Sequence, residues 1–166
     1  MAPHTLLINL IFFLLSPPAS GKEDTRSRIE SMIRGFEKKF KTPALSVEEF
    51  RREHKKRPYV LVDARTAREQ SVSMIPGAIT SKEFLRRKHD FRKRPIVIYC
   101  TIGYRSSALS EELRQQGFQS WNLRGSLLLW SWAGGPLVTP GGKPTKKVHV
   151  YGKDWDLVAP AYEGIH

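Results

Sequence analysis

Two short apolar runs rich in β-forming residues constrain the fold of this chain most strongly. Residues 59–62 form the first run, which stops at Asp63, and residues 96–99 form the second, which stops at Cys100. Runs of this length without alternating polar residues are typical of strands buried in a parallel sheet. The second run therefore places Cys100 at the carboxyl end of a strand, the edge where open α/β sheets bind ligands.

Helical signals lie before, between and after these two runs. Apolar residues from Ile29 to Phe40 recur at helical spacing and predict an amphipathic helix that packs on the domain. Ser46 with Glu49, and Thr66 with Glu69, match the capping-box pattern of two short helices. Further helices are predicted over residues 81–90, from near Ser106 to Gly117 and over 127–132, with a further strand over 120–123. This alternation predicts an α/β fold with a central, mostly parallel sheet flanked by helices.

A length of 166 residues suits one domain with additions at both ends. We predict four segments: a signal peptide over residues 1–21, an amphipathic N-terminal helix over 22–42, the α/β domain over 43–138 and a C-terminal extension over 139–166. Gly, Pro and Lys are frequent where this last segment begins. Val148, Val150 and a turn at Gly152 toward Trp155 predict a small hairpin within the extension.

The leader indicates export. Residues 6–15 are almost wholly apolar but too few to cross a bilayer as a helix, so no stable membrane span is expected. Pro17 and Pro18 follow, and small residues precede a predicted cleavage site after Gly21. A periplasmic or secreted location is therefore predicted, with an interfacial anchor or a buried helix as the alternatives.

The charge balance limits the classes of partner without selecting one. Lys and Arg total 28 against 16 Asp and Glu, a formal net charge of +12, which favours anionic small molecules, acidic proteins, nucleic acid or anionic lipid. The basic runs 51–57 and 86–94 adjoin amphipathic helices and are interpreted as solvated faces, so no nucleic-acid partner is expected. An acidic protein partner stays open. The five histidines show no ligand spacing and Cys100 is the only cysteine, so no metal or other cofactor is predicted.

The stretch after Cys100 carries the clearest chemical signal. The residues that follow it, in a loop leading into a helix, are Thr101, Ile102, Gly103, Tyr104, Arg105 and Ser106. Such a loop can point several backbone N–H groups at an anion, and the helix N-terminus and Arg105 add positive potential. This environment predicts a stabilised thiolate, a lowered pKa and a nucleophilic Cys100.

Asp63 and Arg65 are candidate supporting residues. Asp63 is interpreted either as a carboxylate that supports the loop or a neighbouring arginine, or as a cap of the strand end. Arg65 is expected to pair with Glu69 at helical spacing or to attract an anionic substrate, and the structural role is favoured.

The loop pattern Cys-x-x-Gly-x-Arg-Ser resembles the active-site loop of single-domain rhodaneses. Asp63-Ala64-Arg65, Glu69 and Ile75-Pro76-Gly77-Ala78-Ile79 are similar to the family's first motif. Asn122-Leu123-Arg124-Gly125, with the tryptophans after it, is similar to the last. The resemblance covers about residues 45–138, and it implies a rhodanese-like fold with Cys100 as the catalytic residue and residues 101–106 as the substrate-binding loop.

The resemblance implies a thiosulfate sulfurtransferase. The Cys100 thiolate would take sulfur from a small anionic donor such as thiosulfate and pass it, as a persulfide, to a thiol or a cyanide-like acceptor. One alternative is a non-catalytic persulfide carrier or protein-binding module. A cysteine phosphatase is less favoured, because the related dual-specificity phosphatases place five residues between Cys and Arg and this chain places four.

Overall fold

The computed structural model describes residues 21–166. Its α-helices are α1 (Gly21–Lys39), α2 (Val47–His54), α3 (Ala67–Val72), α4 (Ser81–Arg86), α5 (Tyr104–Gln115) and α6 (Ser126–Trp132). Its strands are β1 (Ala44–Leu45), β2 (Val60–Asp63), β3 (Ile79–Thr80), β4 (Ile96–Tyr99), β5 (Ser120–Leu123), β6 (Leu137–Val138), β7 (Pro144–Thr145), β8 (Lys147–His149) and β9 (Glu163–Ile165). Apart from Gly21, the predicted signal peptide lies outside the described residues, and export stays a prediction.

A five-stranded parallel sheet in the order β1-β5-β4-β2-β3 forms the centre of the molecule. The two apolar runs of the sequence become the neighbouring strands β2 and β4, in which every residue is buried. Their register places Asp63 beside Tyr99, so Asp63 and Cys100 reach the same edge of the sheet. The predicted α/β fold with a mostly parallel central sheet is confirmed.

Alternate residues of each strand pack on opposite faces of the sheet, as the period of two in a strand requires. Leu61, Val97 and Tyr99 point to one face, where they pack with Phe50 of α2 and Trp130 of α6. The other face presents its apolar side chains to α4 and α5. The core residues there are Val60, Val62, Phe84, Phe91, Ile96, Ile98, Leu113 and Phe118. Helices therefore cover both faces of the sheet.

Local capping signals begin the helices as expected. Ser46 and Thr66 each form a complete capping box with the glutamate three residues later, which confirms both predicted caps. Gly117, at φ +83°, follows the end of α5. The helix predicted over residues 81–90 is shorter, because α4 ends at Arg86 and a 3-10 helix, Lys88–Phe91, replaces its last turn.

Helix α1 packs on the domain as its amphipathic pattern predicts. Ile29 and Ile33 are buried against Ile102 of the cysteine loop, together with Leu128 and Leu157. Arg124, which follows β5, forms salt bridges of 2.9 Å with Glu30 and 2.8 Å with Glu37 of α1. The N-terminal helix is thereby fixed beside the loop that carries Cys100.

The C-terminal extension does not form the predicted hairpin. Strand β8 pairs in parallel with β9, with Lys147 beside Glu163 and His149 beside Ile165. A parallel pair needs a crossover rather than a tight turn, and residues 150–162 supply that connection. Val148 and Val150 join the main core, so the extension is part of the packed structure. Within residues 21–166, no helix combines the length and the apolar character needed to cross a membrane.

Candidate active site

Cys100 stands directly after β4, at the start of a loop that leads into α5. The backbone N–H of Leu127 donates to the Cys100 carbonyl at 3.3 Å, and that of Leu128 donates to the Thr101 carbonyl at 3.0 Å. These bonds from the first turn of α6 occupy both loop carbonyls. The loop can then present backbone N–H groups to Sγ, the arrangement that favours an anion.

Gly103 supplies the shortest hydrogen bond to the sulfur. Its N–H donates to Cys100 Sγ at 3.1 Å, and its backbone has φ +124°, a conformation that residues with a Cβ rarely adopt. A Cβ at this position would also lie 3.3 Å from Nδ2 of Asn122. The glycine of the loop motif is therefore required by both its dihedral angle and its surroundings.

Buried polar side chains support the sulfur from the side of the sheet. The Ser106 hydroxyl lies 3.5 Å from Sγ and 2.7 Å from Oδ1 of Asn122, so its one proton is shared between two acceptors. The N–H of Cys100 donates to Ser126 Oγ at 3.0 Å, and that hydroxyl donates to the Leu123 carbonyl at 3.1 Å. Ser126 also has φ +48°, and among residues 21–166 it is the one non-glycine residue with a positive φ.

These contacts lower the pKa of the Cys100 thiol. Burial opposes ionisation of this nearly inaccessible group, but hydrogen bonds from the Ser106 hydroxyl and N–H outweigh burial, aided by the charge of Arg105 and by the Gly103 N–H. The net pKa lies below the ordinary value for cysteine. Thiolate is the nucleophilic form of cysteine, so this environment increases the fraction of Cys100 in its reactive form.

Arg105 is held by Glu69 through two parallel hydrogen bonds of 2.7 Å, from Nη1 to Oε2 and from Nη2 to Oε1. Thr101 Oγ1 lies 3.2 Å from Glu69 Oε1 and 3.2 Å from Arg105 Nη2. Burial opposes ionisation of Glu69, but hydrogen bonds from Arg105 and Thr66 lower the pKa of Glu69 to about 2. The predicted pairing of Arg65 with Glu69 is wrong, because Arg105, 36 residues along the chain, takes this carboxylate.

Asp63 and Arg65 form a separate pair. Both side chains are fully buried, and Arg65 Nη2 lies 2.7 Å from Asp63 Oδ2. Arg65 also donates to the Ser73 carbonyl, and its guanidinium lies 5.9 Å from the centre of the Tyr99 ring. Asp63 thus holds a neighbouring arginine, one of the roles considered for it. Neither residue lines the cavity beside Cys100.

That cavity has a volume of about 200 Å³. Its lining residues are Cys100, Thr101, Ile102, Tyr104, Arg105, Tyr151 and Trp155. Four of the six predicted substrate-binding residues lie on its wall, while Gly103 and Ser106 contact the sulfur instead. A larger cavity of about 580 Å³, bordered by Phe50, Arg51 and Trp130, contains no residue of this loop.

Sequence reasoning missed several of these positions. Ser126 and the aromatic residues Tyr151 and Trp155 carry no motif of their own, and Asn122 entered only through the resemblance. The available signal was weak: Ser126 follows a glycine and is the one polar residue in the first turn of an apolar helix. Among residues 21–166, no group of three or more His, Cys, Asp or Glu side chains is arranged to hold a metal ion.

Comparison with known families agrees with this geometry. Residues 46–133, more than half of the chain, match the rhodanese-like domain family. The protein therefore belongs to the rhodanese-like domain family. The matched segment contains Cys100, Arg105, Glu69 and Ser126, whereas α1, Tyr151 and Trp155 lie outside it.

Individual relatives extend this result. A segment of 87 residues is 39% identical to a sulfurtransferase of Allochromatium vinosum and covers 50% of this chain and 81% of that protein. A rhodanese-related protein of Thermoplasma volcanium shares 25% identity over 58% of this chain and 97% of its own, with a TM-score of 0.50. A thiosulfate sulfurtransferase of Pseudomonas aeruginosa has the same fold, with 22% identity and a TM-score of 0.55. That match covers 81% of this chain and 26% of the Pseudomonas protein. Family membership and the first relative support sulfur transfer as the general activity.

Proposed function

We propose that this protein is a sulfurtransferase that carries sulfur as a persulfide on Cys100, with thiosulfate as a donor. One observation carries the proposal: the buried Sγ of Cys100 accepts a hydrogen bond from the Gly103 N–H at 3.1 Å and borders a cavity that Arg105 also lines. A lowered thiol pKa accompanies this arrangement. The site thus combines a nucleophile, donors that stabilise its charge and space for a small donor molecule.

In the first step, the Cys100 thiolate attacks the outer sulfur of thiosulfate. A bond forms between Sγ and that sulfur, the sulfur–sulfur bond of thiosulfate breaks, and sulfite leaves with the electron pair. Arg105 offers positive charge to the sulfonate end of the donor. Because Glu69 fixes its guanidinium through two hydrogen bonds, this charge is oriented before the donor arrives.

In the second step, a thiolate or cyanide acceptor attacks the outer sulfur of the persulfide. The bond between that sulfur and Sγ breaks, and Cys100 leaves as a thiolate with the electron pair. The Gly103 N–H and the Ser106 hydroxyl then stabilise the same anion that they stabilise before the first step. A low thiol pKa also favours this step, because Cys100 is its leaving group.

The geometry does not favour the phosphatase alternative. A cysteine phosphatase needs an acid that protonates the leaving alcohol. Glu69 is the carboxylate that contacts Arg105, but with a pKa of about 2 it is ionised at neutral pH and cannot donate a proton. Among residues 21–166, no Asp or Glu lines the cavity.

Intact-protein mass spectrometry after thiosulfate treatment tests the proposal. We expect the full chain to gain the mass of one sulfur atom, and Cys100→Ser to gain none because a serine hydroxyl is a poor nucleophile at neutral pH. Cys100 is the only cysteine, so the position of the added sulfur is unambiguous. Circular dichroism should show that Cys100→Ser keeps the fold.

Turnover separates an enzyme from a carrier. Repeated formation of thiocyanate from thiosulfate and cyanide identifies an enzyme, whereas loading without turnover identifies a persulfide carrier. Sulfur transfer that persists in Cys100→Ser would contradict the assignment of the nucleophile. Hydrolysis of aryl phosphates by the unaltered protein, with no sulfur on Cys100, would contradict the chemical class.

A further inference from the structure

The outer wall of the Cys100 cavity is built by the C-terminal extension. Tyr151 and Trp155 lie on it, and Tyr104 completes an aromatic wall of three rings around the cavity. Tyr151 and Trp155 both fall outside the segment that matches the rhodanese-like family, residues 46–133. The aromatic wall (Tyr104, Tyr151 and Trp155) thus joins one ring of the family domain to two rings that the extension adds at the site of its chemistry.

The aromatic wall exposes large apolar side chains, which are few elsewhere on the described surface. Among residues 24–166, the large apolar side chains exposed to solvent are Leu85, Tyr104 and Tyr151. Two of these three border the Cys100 cavity, and Tyr151 is 78% exposed. Clustered exposed aromatic residues mark binding surfaces, because contact with an apolar ligand removes their surface from water.

Contacts behind the rings hold the aromatic wall in place. Phe36 and Phe40 pack edge-to-face on the Tyr104 ring at 5.4 and 5.1 Å, and the Lys39 ammonium donates to the Tyr104 hydroxyl at 2.7 Å. Tyr151 packs edge-to-face on Trp155 with ring centres 6.4 Å apart. Tyr104, held by α1, and Trp155, which packs against the core, are therefore in place before a ligand binds, which reduces the entropic cost of binding.

The charges around the cavity indicate which end of a ligand faces the aromatic wall. In the described part of the chain, residues 21–166, Arg105 is the one charged residue that lines the cavity, and Glu69 pairs with it. Arg105 serves the anionic end of the donor, and no second cation is among these lining residues, so an anionic tail on the acceptor would find no cation of its own. An apolar or aromatic body would instead contact ring faces and the side chain of Ile102.

We propose that Tyr104, Tyr151 and Trp155 form a subsite for the apolar or aromatic body of a small organic thiol that accepts sulfur from Cys100. This inference rests on the proposed function. In the reaction, the acceptor thiolate attacks the outer sulfur of the Cys100 persulfide, and the bond between that sulfur and Sγ breaks. Cys100 retains the electron pair as a thiolate, and the product is the persulfide of the acceptor.

The experiment compares two thiols, one with an aromatic group and one with a small polar group, as acceptors of sulfur from the same Cys100 persulfide. The full chain is loaded with thiosulfate, freed of excess donor and mixed with 2-phenylethanethiol or 2-mercaptoethanol, and the loss of added sulfur is followed by mass spectrometry. Rate constants are expressed per thiolate, since the thiolate is the attacking species. We expect 2-phenylethanethiol to react about tenfold faster than 2-mercaptoethanol, a size of effect typical of apolar pockets.

Variants of the aromatic wall test its role. We expect Tyr151→Ala and Trp155→Ala to lower that ratio below about threefold, and Trp155→Phe to preserve it because a ring remains. The two rate constants in each ratio are measured on the same variant, so a change in the amount of sulfur loaded on Cys100 does not affect the ratio. Leu85→Ala is the control, because it removes another exposed apolar side chain, on α4, that does not line the cavity.

The outcomes separate this inference from the proposed function. Equal rate constants for the two thiols in the unaltered protein would overturn the subsite. A ratio that survives Tyr151→Ala would overturn it as well, and folding does not confuse that result because Tyr151 is mostly exposed. Failure of the unaltered protein to take up sulfur would instead overturn the proposed function.

Discussion

Two arginine–carboxylate pairs lie at the carboxyl edge of the same sheet. They share the same chemistry but differ in exposure to solvent and in the distance between their residues along the chain. Asp63 with Arg65, and Glu69 with Arg105, each form a salt bridge of 2.7 Å. Both side chains of the first pair are 0% exposed, whereas Arg105 of the second pair is 34% exposed. The first pair joins residues two positions apart, and the second joins residues 36 positions apart.

The environment of each pair indicates what it does. Arg65 donates to Asp63 and to the Ser73 carbonyl, so the first pair ties the end of β2 to the segment after α3. Arg105 lines the Cys100 cavity while Glu69 holds it from one side. Burial on all sides makes the first pair a structural connection, and access to the cavity allows the second to present charge to a ligand.

Breaking the buried pair should have the largest effect on stability. Asp63→Asn leaves the Arg65 charge without a carboxylate in a fully buried position, and breaking such a pair costs about 3–5 kcal/mol. Urea unfolding measures this loss. The control is Glu83→Gln, which breaks an exposed pair with Arg87 and should cost less than about 1 kcal/mol.

A double replacement sharpens the same test. Asp63→Leu with Arg65→Met removes both charges at similar volume, and we expect it to recover most of the stability lost in Asp63→Asn. Equal losses in Asp63→Asn and the Glu83→Gln control would show that complete burial does not distinguish the pair.

Breaking the pair that faces the cavity should change reactivity more than stability. Arg105→Gln removes a positive charge that lowers the Cys100 pKa and leaves the Glu69 carboxylate unpaired nearby, so the pKa of Cys100 should rise. At any pH below the pKa, a rise of one unit in the Cys100 pKa lowers the fraction of thiolate about tenfold. The rate of alkylation by iodoacetamide as a function of pH measures the change.

The matched control for Arg105→Gln is Arg68→Gln, which removes an exposed positive charge from α3 outside the cavity. We expect this control to leave the alkylation profile within about twofold of the unaltered protein, because solvent screens charges at the surface. An unchanged Cys100 pKa in Arg105→Gln would mean that Ser106 and Gly103 alone stabilise the thiolate.

The two pairs also show what the sequence could and could not predict. The strands, the capping boxes at Ser46 and Thr66 and the cysteine loop depend on residues within a few positions of one another, so local patterns predicted them. The same local reasoning assigned Glu69 to Arg65 on helical spacing, and it was wrong. The true partner, Arg105, comes beside Glu69 only when β2 and β4 pair.

Contacts between distant segments account for the other omissions. The pairing of β8 with β9 was missed because the partner strand lies beyond a long connection, and a glycine nearby suggested a tight turn instead. Tyr151 and Trp155 reach the cavity only through the packing of the whole extension. No spacing rule within the extension indicates that these rings face a cysteine some fifty positions earlier.

The smallest expected effect concerns the pH dependence of the Glu69–Arg105 pair. The pKa of Glu69 is about 2 in the folded protein, below its ordinary value of 4.5. Because the pKa of Glu69 is lower in the folded protein than in the unfolded chain, its carboxylate stabilises the fold at any pH above the unfolded pKa. This stability is lost as the pH falls from about 4.5 to about 2. Because Arg105 is partly exposed, we expect the contribution to be only about 1 kcal/mol at neutral pH.

Glu69→Gln isolates this contribution, because glutamine can also complete a capping box with Thr66 while carrying no charge. The free energies of unfolding of the two proteins should differ by a constant amount above about pH 5, and the difference should shrink as Glu69 becomes protonated. Subtraction cancels the titration of the other carboxylates. A difference that stays constant down to about pH 2 would show that folding does not lower the pKa of Glu69, and a difference that grows on acidification would show that folding raises it.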